Sequence, residues 1–236
     1  RRHFDTIKKR VLKGRKMGNQ VIYENESGIF TCDEEGLLLR YECSPENRLE
    51  LSDCTEKFSI FGQDWQHENR KDKSIRKLVI PSGVKQIGSC SSAYHEEGDV
   101  SFKDYVVRDE IIFPDSLKII GVSVFWSAML PEVKFSSALS VVGATSFFHA
   151  RICKLILSSD IKPIYGYYYS DQAHPYFKDI PGQGAVEITE NELLEQYLCF
   201  GGRQFKYAHI DTLMVPDGYE YMSLLSESDI GKLIKY

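Results

Sequence analysis

One short phrase recurs along the chain, and this repetition limits the possible folds more than any other feature. The segment RKLVIPSGVKQIG at residues 76–88 is followed 33 residues later by DEIIFPDSLKIIG, and then by PEVKFSSALSVVG. A unit of this size cannot bury its apolar side alone, so such units become stable when they stack on one another. The repeat therefore predicts a single repeat domain over residues 1–236 with one continuous core.

The unit has apolar residues at relative positions −3, 0, +2, +6 and +9, followed by Gly at +10. Copies that begin at 111, 133 and 155 are 22 residues apart. The longer intervals of 33 and 58 residues that follow 78 and 155 predict insertions. A degenerate first copy is expected at Leu49, Leu51 and Phe58. Position 0 of the other copies is occupied by Leu78, Ile111, Val133, Leu155 and Leu213.

Each part of the unit predicts a local structure. The alternating start, as in Leu78 and Ile80, is typical of a short strand with one buried face, and Pro81 ends it because proline has no N–H to donate. The next apolar pair, as in Val84 and Ile87, returns to the core. Glycines follow at a tight corner, where we expect positive φ: Gly88, Gly121 and Gly143. Aromatic residues four positions later are expected to stack in the core: Phe125, Phe147 and Tyr169.

Together these features predict a right-handed solenoid that is mainly β, with one short parallel strand per turn of about 22 residues and irregular or short helical returns. The expected organisation is an N-terminal cap and lead-in at 1–48, repeats at 49–169, an insertion at 170–209, and a terminal repeat with a C-terminal cap at 210–236.

The insertion contains the signal of one α-helix, ITENELLEQYLCFGG at 188–202. Thr189 and Glu192 are spaced as a capping box, and Gly201 ends the pattern. Its apolar face would consist of Leu193, Leu194, Tyr197 and Leu198. We expect this helix to lie against the repeats near their C-terminal end, with a groove for a partner as the alternative.

Charge is distributed unevenly. Residues 1–16 hold eight Lys and Arg against one Asp, a net charge of +7 that leaves −12 for the rest of a chain whose total is −5. With Phe4, Ile7 and Val11 at helical spacing, this segment is either an arm for anionic lipid or nucleic acid, or a polar end that covers the first turn. The acidic remainder argues against nucleic acid. No apolar run approaches the roughly 18 residues that a spanning helix needs, which excludes a membrane-embedded chain.

Motifs for catalysis and cofactor binding are absent from the sequence. The histidines form no zinc motif, and neither a P-loop nor a G-x-S-x-G turn occurs, so we expect no enzyme activity and no cofactor. Four of the six histidines lie in or beside insertions and termini, where a solvated side chain is expected; the six are His3, His67, His95, His149, His174 and His209. The cysteines lack a C-x-x-C pair and are expected to be small buried residues, or disulfides if the protein is exported: Cys32, Cys43, Cys54, Cys90, Cys153 and Cys199.

Several segments resemble the BspA-like bacterial leucine-rich repeats, whose consensus is roughly apolar-x-Ile-Pro-x-Ser-Val-x-x-Ile-Gly-x-x-Ala-Phe. They are LVIPSGVKQIGSCSSAY, IIFPDSLKIIGVSVF and VKFSSALSVVGATSFFHARI, with a hairpin-like lead-in at FTCDEEGLLLRYECSPENRLELSDC and a closing segment at DTLMVPDGYEYM. The likeness covers about residues 28–225 and is tight over 75–165. It departs from plant and animal leucine-rich repeats, since no Asn or Cys ladder follows the strand. It implies a non-enzymatic module for protein–protein interaction or adhesion, extracellular or at the bacterial cell surface.

Two features predict where a partner binds. The outward strand position is apolar in four of five copies, so this face is either covered by the chain or open to a partner: Val79, Ile112, Lys134, Ile156 and Met214. The insertions at 95–110 and 165–209 are rich in aromatic residues, which is typical of interface hot spots. The predicted partner-binding residues are Tyr165, Tyr167, Tyr168, Tyr176, Phe177, Phe102 and Tyr105.

The partner expected from these features is a protein of the host or of a bacterial surface, with a glycan as a further possibility and with neither nucleic acid nor membrane insertion. One alternative is an intracellular bacterial repeat protein that binds another protein. The other is a glycan-binding or glycan-degrading solenoid, which would need carboxylates or basic residues repeated on the outward strand positions.

Overall fold

The computed structural model describes residues 14–62, 64–88, 100–136, 138–139, 141–143, 145–157, 204–218, 225 and 228–236, together with the backbone of 163–169, 176–180, 184–188 and 198–201. Residues 1–13, which form most of the basic segment, and residues 89–99, which include the start of the insertion at 95–110, lie outside the described residues.

The long strand of each copy pairs in parallel with that of the next copy, as the repeat predicts. Leu155 lies opposite Val133 on one side and opposite Leu213 on the other, so the copies stack in register. A sixth strand after Leu213 was not predicted. In spatial order the sheet consists of β5 (Ser74–Val79), β7 (Val106–Ile112), β9 (Met129–Lys134), β11 (Arg151–Ile156), β16 (His209–Val215) and β17 (Asp229–Lys235).

A second sheet is formed by the second apolar pair of each copy, where the sequence predicted a return without a strand. Its parallel strands are β4 (Leu37–Cys43), β6 (Gln86–Ile87), β8 (Ile119–Ile120), β10 (Val141–Val142), β15 (Leu198–Gly201) and β12 (Pro163–Tyr169). Antiparallel strands continue it at both ends: β1 (Arg15–Met17), β2 (Gln20–Asn25), β3 (Gly28–Asp33), β13 (Tyr176–Ile180) and β14 (Gly184–Ile188). Each copy thus contributes to two sheets, and the main core contains buried side chains from both.

The long insertion enters in the middle of a copy. Phe200 on β15 lies opposite Val142 on β10, so β15 is the second strand of the copy that begins with β11. The repeat spacing predicts Ile164, nine residues after Leu155, at that position, but this is wrong, because Ile164 on β12 lies one strand further out, opposite Cys199. Leu198, which the sequence assigned to the predicted helix, begins a strand, and residues 189–197 lie outside the described part.

The prediction of a degenerate first copy at Leu49 was also wrong. This segment forms short helical turns in place of a strand: 3-10 turns at Leu51–Cys54 and Ser59–Phe61, with α1 (Thr55–Phe58) between them. Further 3-10 turns lie at Pro45–Asn47 and Glu68–Arg70. No helix in the described part of the chain is long and apolar enough to cross a membrane.

A column of four phenylalanine rings runs through the core. The ring centroids of Phe102 and Phe125 are 5.5 Å apart, those of Phe125 and Phe147 5.2 Å, and those of Phe147 and Phe205 5.0 Å. The interplanar angles are 13°, 11° and 6°. The predicted stacking of Phe125 on Phe147 is confirmed, but the next ring is Phe205, four residues after Gly201, and Tyr169 lies on β12.

The same column corrects one part of the predicted binding surface. Phe102 is only 1% exposed, so it is a core residue and not a surface contact. Tyr105 is partly buried against that core, with its ring 5.3 Å from Phe102, and burial raises the pKa of its hydroxyl.

The described cysteines include four free thiols, two of them fully buried, which agrees with their expected role as small apolar residues. Burial raises the pKa of Cys32 to about 12 and that of Cys54 and Cys153 to about 11. These thiols are therefore protonated and unreactive at neutral pH.

The corner glycines serve two different purposes. Gly88 has the predicted positive φ of 69°. Gly143 does not, and its missing side chain is instead required by the neighbouring turn: a Cβ there would lie 2.7 Å from Gly121 C and 2.8 Å from Val122 N. The glycine at this position therefore permits the close stacking of successive turns.

We expect Gly143→Ala to lower the free energy of unfolding by about 1–3 kcal/mol, because the backbone of the preceding turn has to shift. The exposed Lys134→Ala in the same copy serves as the control and is expected to change it by less than about 0.5 kcal/mol. Chemical denaturation measures both. Equal midpoints for the two variants would contradict the close approach.

Candidate functional site

The turns between the two strands of neighbouring copies share an unusual backbone conformation. Two residues after each phenylalanine of the column, φ is positive, between 53° and 64°. This left-handed conformation is uncommon for residues other than glycine and is strained for bulky ones. The four residues form what we call the turn row: Asp104, Ser127, His149 and Tyr207.

Backbone hydrogen bonds between successive turns hold this conformation. The Ser127 N–H donates to Phe148 O at 2.8 Å, and the His149 N–H donates to Lys206 O at 3.1 Å. Because the backbone N–H of one turn bonds to a carbonyl of the next turn, the turn-row residues occupy equivalent positions in successive copies.

A separate segment covers part of the outer face of the six-stranded sheet. Residues 49–65, the cover, pack Phe58 and Trp65 against Val106 and Met129, which lie at the N-terminal ends of β7 and β9. The guanidinium of Arg151 donates from Nη1 to Phe61 O at 2.7 Å and so ties the cover to β11. The chain itself therefore covers this half of the outer face.

A cavity of about 430 Å³, the turn cleft, lies where the cover meets the turn row. All four members of the turn row line it. The described residues that carry charge, imidazole or aromatic groups along its other walls are His67, His209, Arg70, Arg151, Phe61 and Trp65.

Arg70 is the least expected of these residues. It is 4% exposed, and its Nη2 donates to Ser127 O at 2.5 Å. Nε and Nη1 find no acceptor among the described residues, and neither does the indole Nε1 of Trp65. Burial lowers the pKa of Arg70 to about 10, a shift that Asp104 opposes and Arg151 increases. A buried cation without a paired carboxylate is costly, so its position calls for an explanation other than stability.

Three histidines line the cleft, His67, His149 and His209, and His67 and His149 are exposed, as expected for solvated residues. His209 pairs through Nδ1 with Asp229 Oδ2 at 2.7 Å, and its ring meets Phe61 edge-on at 5.1 Å. Burial, reinforced by Arg151, lowers the pKa of His149, so His149 is neutral at pH 7. Among the described residues, no three His, Cys, Asp or Glu side chains are placed to share a metal ion.

The backbone segments that carry the predicted tyrosine surface lie side by side on two paired strands. Tyr168 lies opposite Phe177, and Tyr169 opposite Tyr176, where β12 pairs with β13. Tyr165 and Tyr167 lie on β12 as well. The side chains of these residues lie outside the described part, so their role in binding stays a prediction.

The outward apolar row remains largely open at the C-terminal ends of the strands. Ile112 is 38% exposed, Lys134 is also exposed, and Val79, Ile156 and Met214 are half-buried. We call these five residues the open row. A charged row runs beside it, in which Lys77 pairs with Glu110 at 3.6 Å and Lys154 with Glu132 at 3.0 Å.

The turn cleft was missed because its residues are far apart in the sequence. The available signal was the phase of the repeat: each turn-row residue stands two positions after a phenylalanine of the column. That phase becomes visible once Phe102 and Phe205 are recognised as column members.

We expect Arg70→Met to leave the free energy of unfolding unchanged or to raise it by up to about 2 kcal/mol, since it removes an uncompensated buried charge and keeps much of the packing. Arg70→Ala also removes the aliphatic stem and is expected to lower it by about 2 kcal/mol. Chemical denaturation distinguishes the two. If Met destabilises as strongly as Ala, the charge of Arg70 supports the fold.

Comparison with known proteins identifies the repeat. The family model for the BspA type leucine-rich repeat region matches residues 95–196 in six copies. No curated protein and no solved structure matches the chain significantly. In the structure the same parallel stacking continues on both sides of that range, to β5 and to β17. Residues 95–196 therefore match the BspA type leucine-rich repeat region.

Proposed function

We propose that this chain is a non-enzymatic binding module that adheres to a protein partner at the bacterial cell surface, and that its stacked copies form a right-handed solenoid. The open row is the observation that carries the proposal. A repeat family built for binding supplies the scaffold, and the cover leaves the C-terminal half of the outer sheet face accessible.

The open row combines two kinds of recognition. Ile112 and its apolar neighbours offer surface that a partner can bury, and the adjacent charged row offers pairs such as Lys154–Glu132 that can fix orientation. Both rows lie on paired strands, so little conformational entropy is lost when a partner binds.

The tyrosines of β12 and β13 form a second part of the proposed surface. Tyrosine gives a large rigid contact with a polar tip, which is typical of residues that dominate binding energy. The pairing of Tyr168 with Phe177 and of Tyr169 with Tyr176 places aromatic residues side by side along two strands.

We expect Ile112→Asp to reduce partner recovery at least tenfold, because a charge in a buried contact costs more than about 1.4 kcal/mol. Leu39→Asp is the matched control, since Leu39 on β4 is also 38% exposed. The immobilised chain is incubated with surface proteins of bacterial and host cells, and bound proteins are quantified for each variant. Equal recovery with Ile112→Asp and Leu39→Asp would exclude the open row. Unchanged recovery with Tyr167→Ala/Tyr168→Ala would exclude the tyrosine surface.

Export is tested by the gene upstream of Arg1. A signal peptide or lipobox there is expected if the protein acts at the cell surface. A coding region that begins without either would favour the intracellular alternative, in which the same surface binds a cytosolic protein. A glycan array with the purified chain tests the remaining alternative.

A further inference from the structure

We propose that the turn cleft binds a small organic acid that also carries hydroxyl groups, as an acidic sugar does, with Arg70 as the partner of its carboxylate. This site is separate from the open row. The cleft lies at the N-terminal half of the outer sheet face and the open row at the C-terminal half, so either proposal can fail alone.

The anionic part of the ligand is argued from Arg70. Two of its three guanidinium nitrogens have no acceptor among the described residues, and they are shielded from bulk water. Arg70 also lines the cleft, so an oxyanion bound there lies next to a guanidinium that the described residues pair only in part. Arginine is the side chain that binds carboxylates and other oxyanions best. Arg151 lines the same cavity and adds positive charge.

The hydroxyl groups are argued from the other polar walls. Asp104 would repel a bare anion, but its carboxylate can accept hydrogen bonds from hydroxyl groups. Asn69 and the histidines of the cleft can donate or accept hydrogen bonds. A ligand with one carboxylate and several hydroxyls satisfies this mixture, whereas a purely anionic ligand does not.

The body of the ligand is argued from shape. The cavity of about 430 Å³ lies within the usual range for small-molecule sites. Tyr207 is 55% exposed at its rim, and its ring lies 5.2 Å from that of His149, so two planar groups border the opening. Such surfaces contact the apolar faces of a sugar ring without requiring hydrogen bonds.

The backbone supports a binding role as well. Tyrosine has no intrinsic preference for the left-handed conformation that Tyr207 adopts in the turn row, where Asn, Asp or Gly would fit with less strain. The presence of tyrosine at this position is explained if its side chain serves a ligand.

The test is calorimetric titration of the purified chain with methyl glucuronide, with methyl glucoside, acetate and sulfate at matched ionic strength as comparisons. We expect methyl glucuronide to bind at least tenfold more tightly than any of the three. No binding of methyl glucuronide up to 20 mM, on the order of −2.3 kcal/mol, would overturn the proposal. Equal binding of methyl glucoside would remove the role of the charge, and equal binding of acetate or sulfate would remove the role of the hydroxyls.

Variants assign the binding to the cleft. Arg70→Met is expected to weaken binding of methyl glucuronide at least tenfold, and Arg40→Met, an exposed arginine on β4, is expected to leave it unchanged. Tyr207→Asn removes the ring while tolerating the left-handed backbone, and is expected to weaken binding several-fold. Should Arg70→Met fail to fold, Tyr207→Asn decides, with Tyr236→Asn as a control of similar exposure. Wild-type affinity in the Arg70 variant, or in Tyr207→Asn where that variant decides, would overturn the proposal.

Discussion

The stack of phenylalanine rings sets the geometry on which the rest of the molecule depends. Adjacent rings from Phe102 to Phe205 are 5.0–5.5 Å apart, close to the spacing of about 4.8 Å between neighbouring strands. Each copy must therefore supply its ring at the height of its own strand. A copy that slipped by one residue would leave a ring without its partner and would turn apolar side chains outward. The column and both parallel sheets thus enforce the same register.

That register produces the turn row. Asp104, Ser127 and His149 each donate their N–H to a carbonyl of the next turn in a left-handed conformation, and Tyr207 shares that conformation. The stacking of the turns constrains the backbone conformation at these positions and leaves the type of side chain unconstrained. Positions of this kind are free to vary for recognition while the scaffold remains unchanged, which is how repeat proteins present different surfaces on one fold.

The sequence predicted the features that recur with the repeat period, and it missed those that depend on contacts between residues far apart in the chain. Alternation around Leu78, Val133 and Leu155 identified the parallel strands, and the ring position identified part of the column. The two-residue strands were missed because an apolar pair such as Ile119–Ile120 shows no alternation. Ile164 was mistaken for a repeat position because it lies nine residues after Leu155, the same spacing as in the other copies. The cleft unites Arg70 with His149 and His209, and no local pattern links residues so far apart.

The cover divides one sheet face into two surfaces with different chemistry. Where Phe58 and Trp65 pack on Val106 and Met129, the face is closed and apolar; beyond them it is open. Cationic and imidazole groups collect at this seam, where Arg70 is buried and His67 and His149 are exposed. Arg151 lines the cleft and also bonds to Phe61 O on the cover. Arg151 thus belongs both to the lining of the cleft and to the contact that holds the cover against β11.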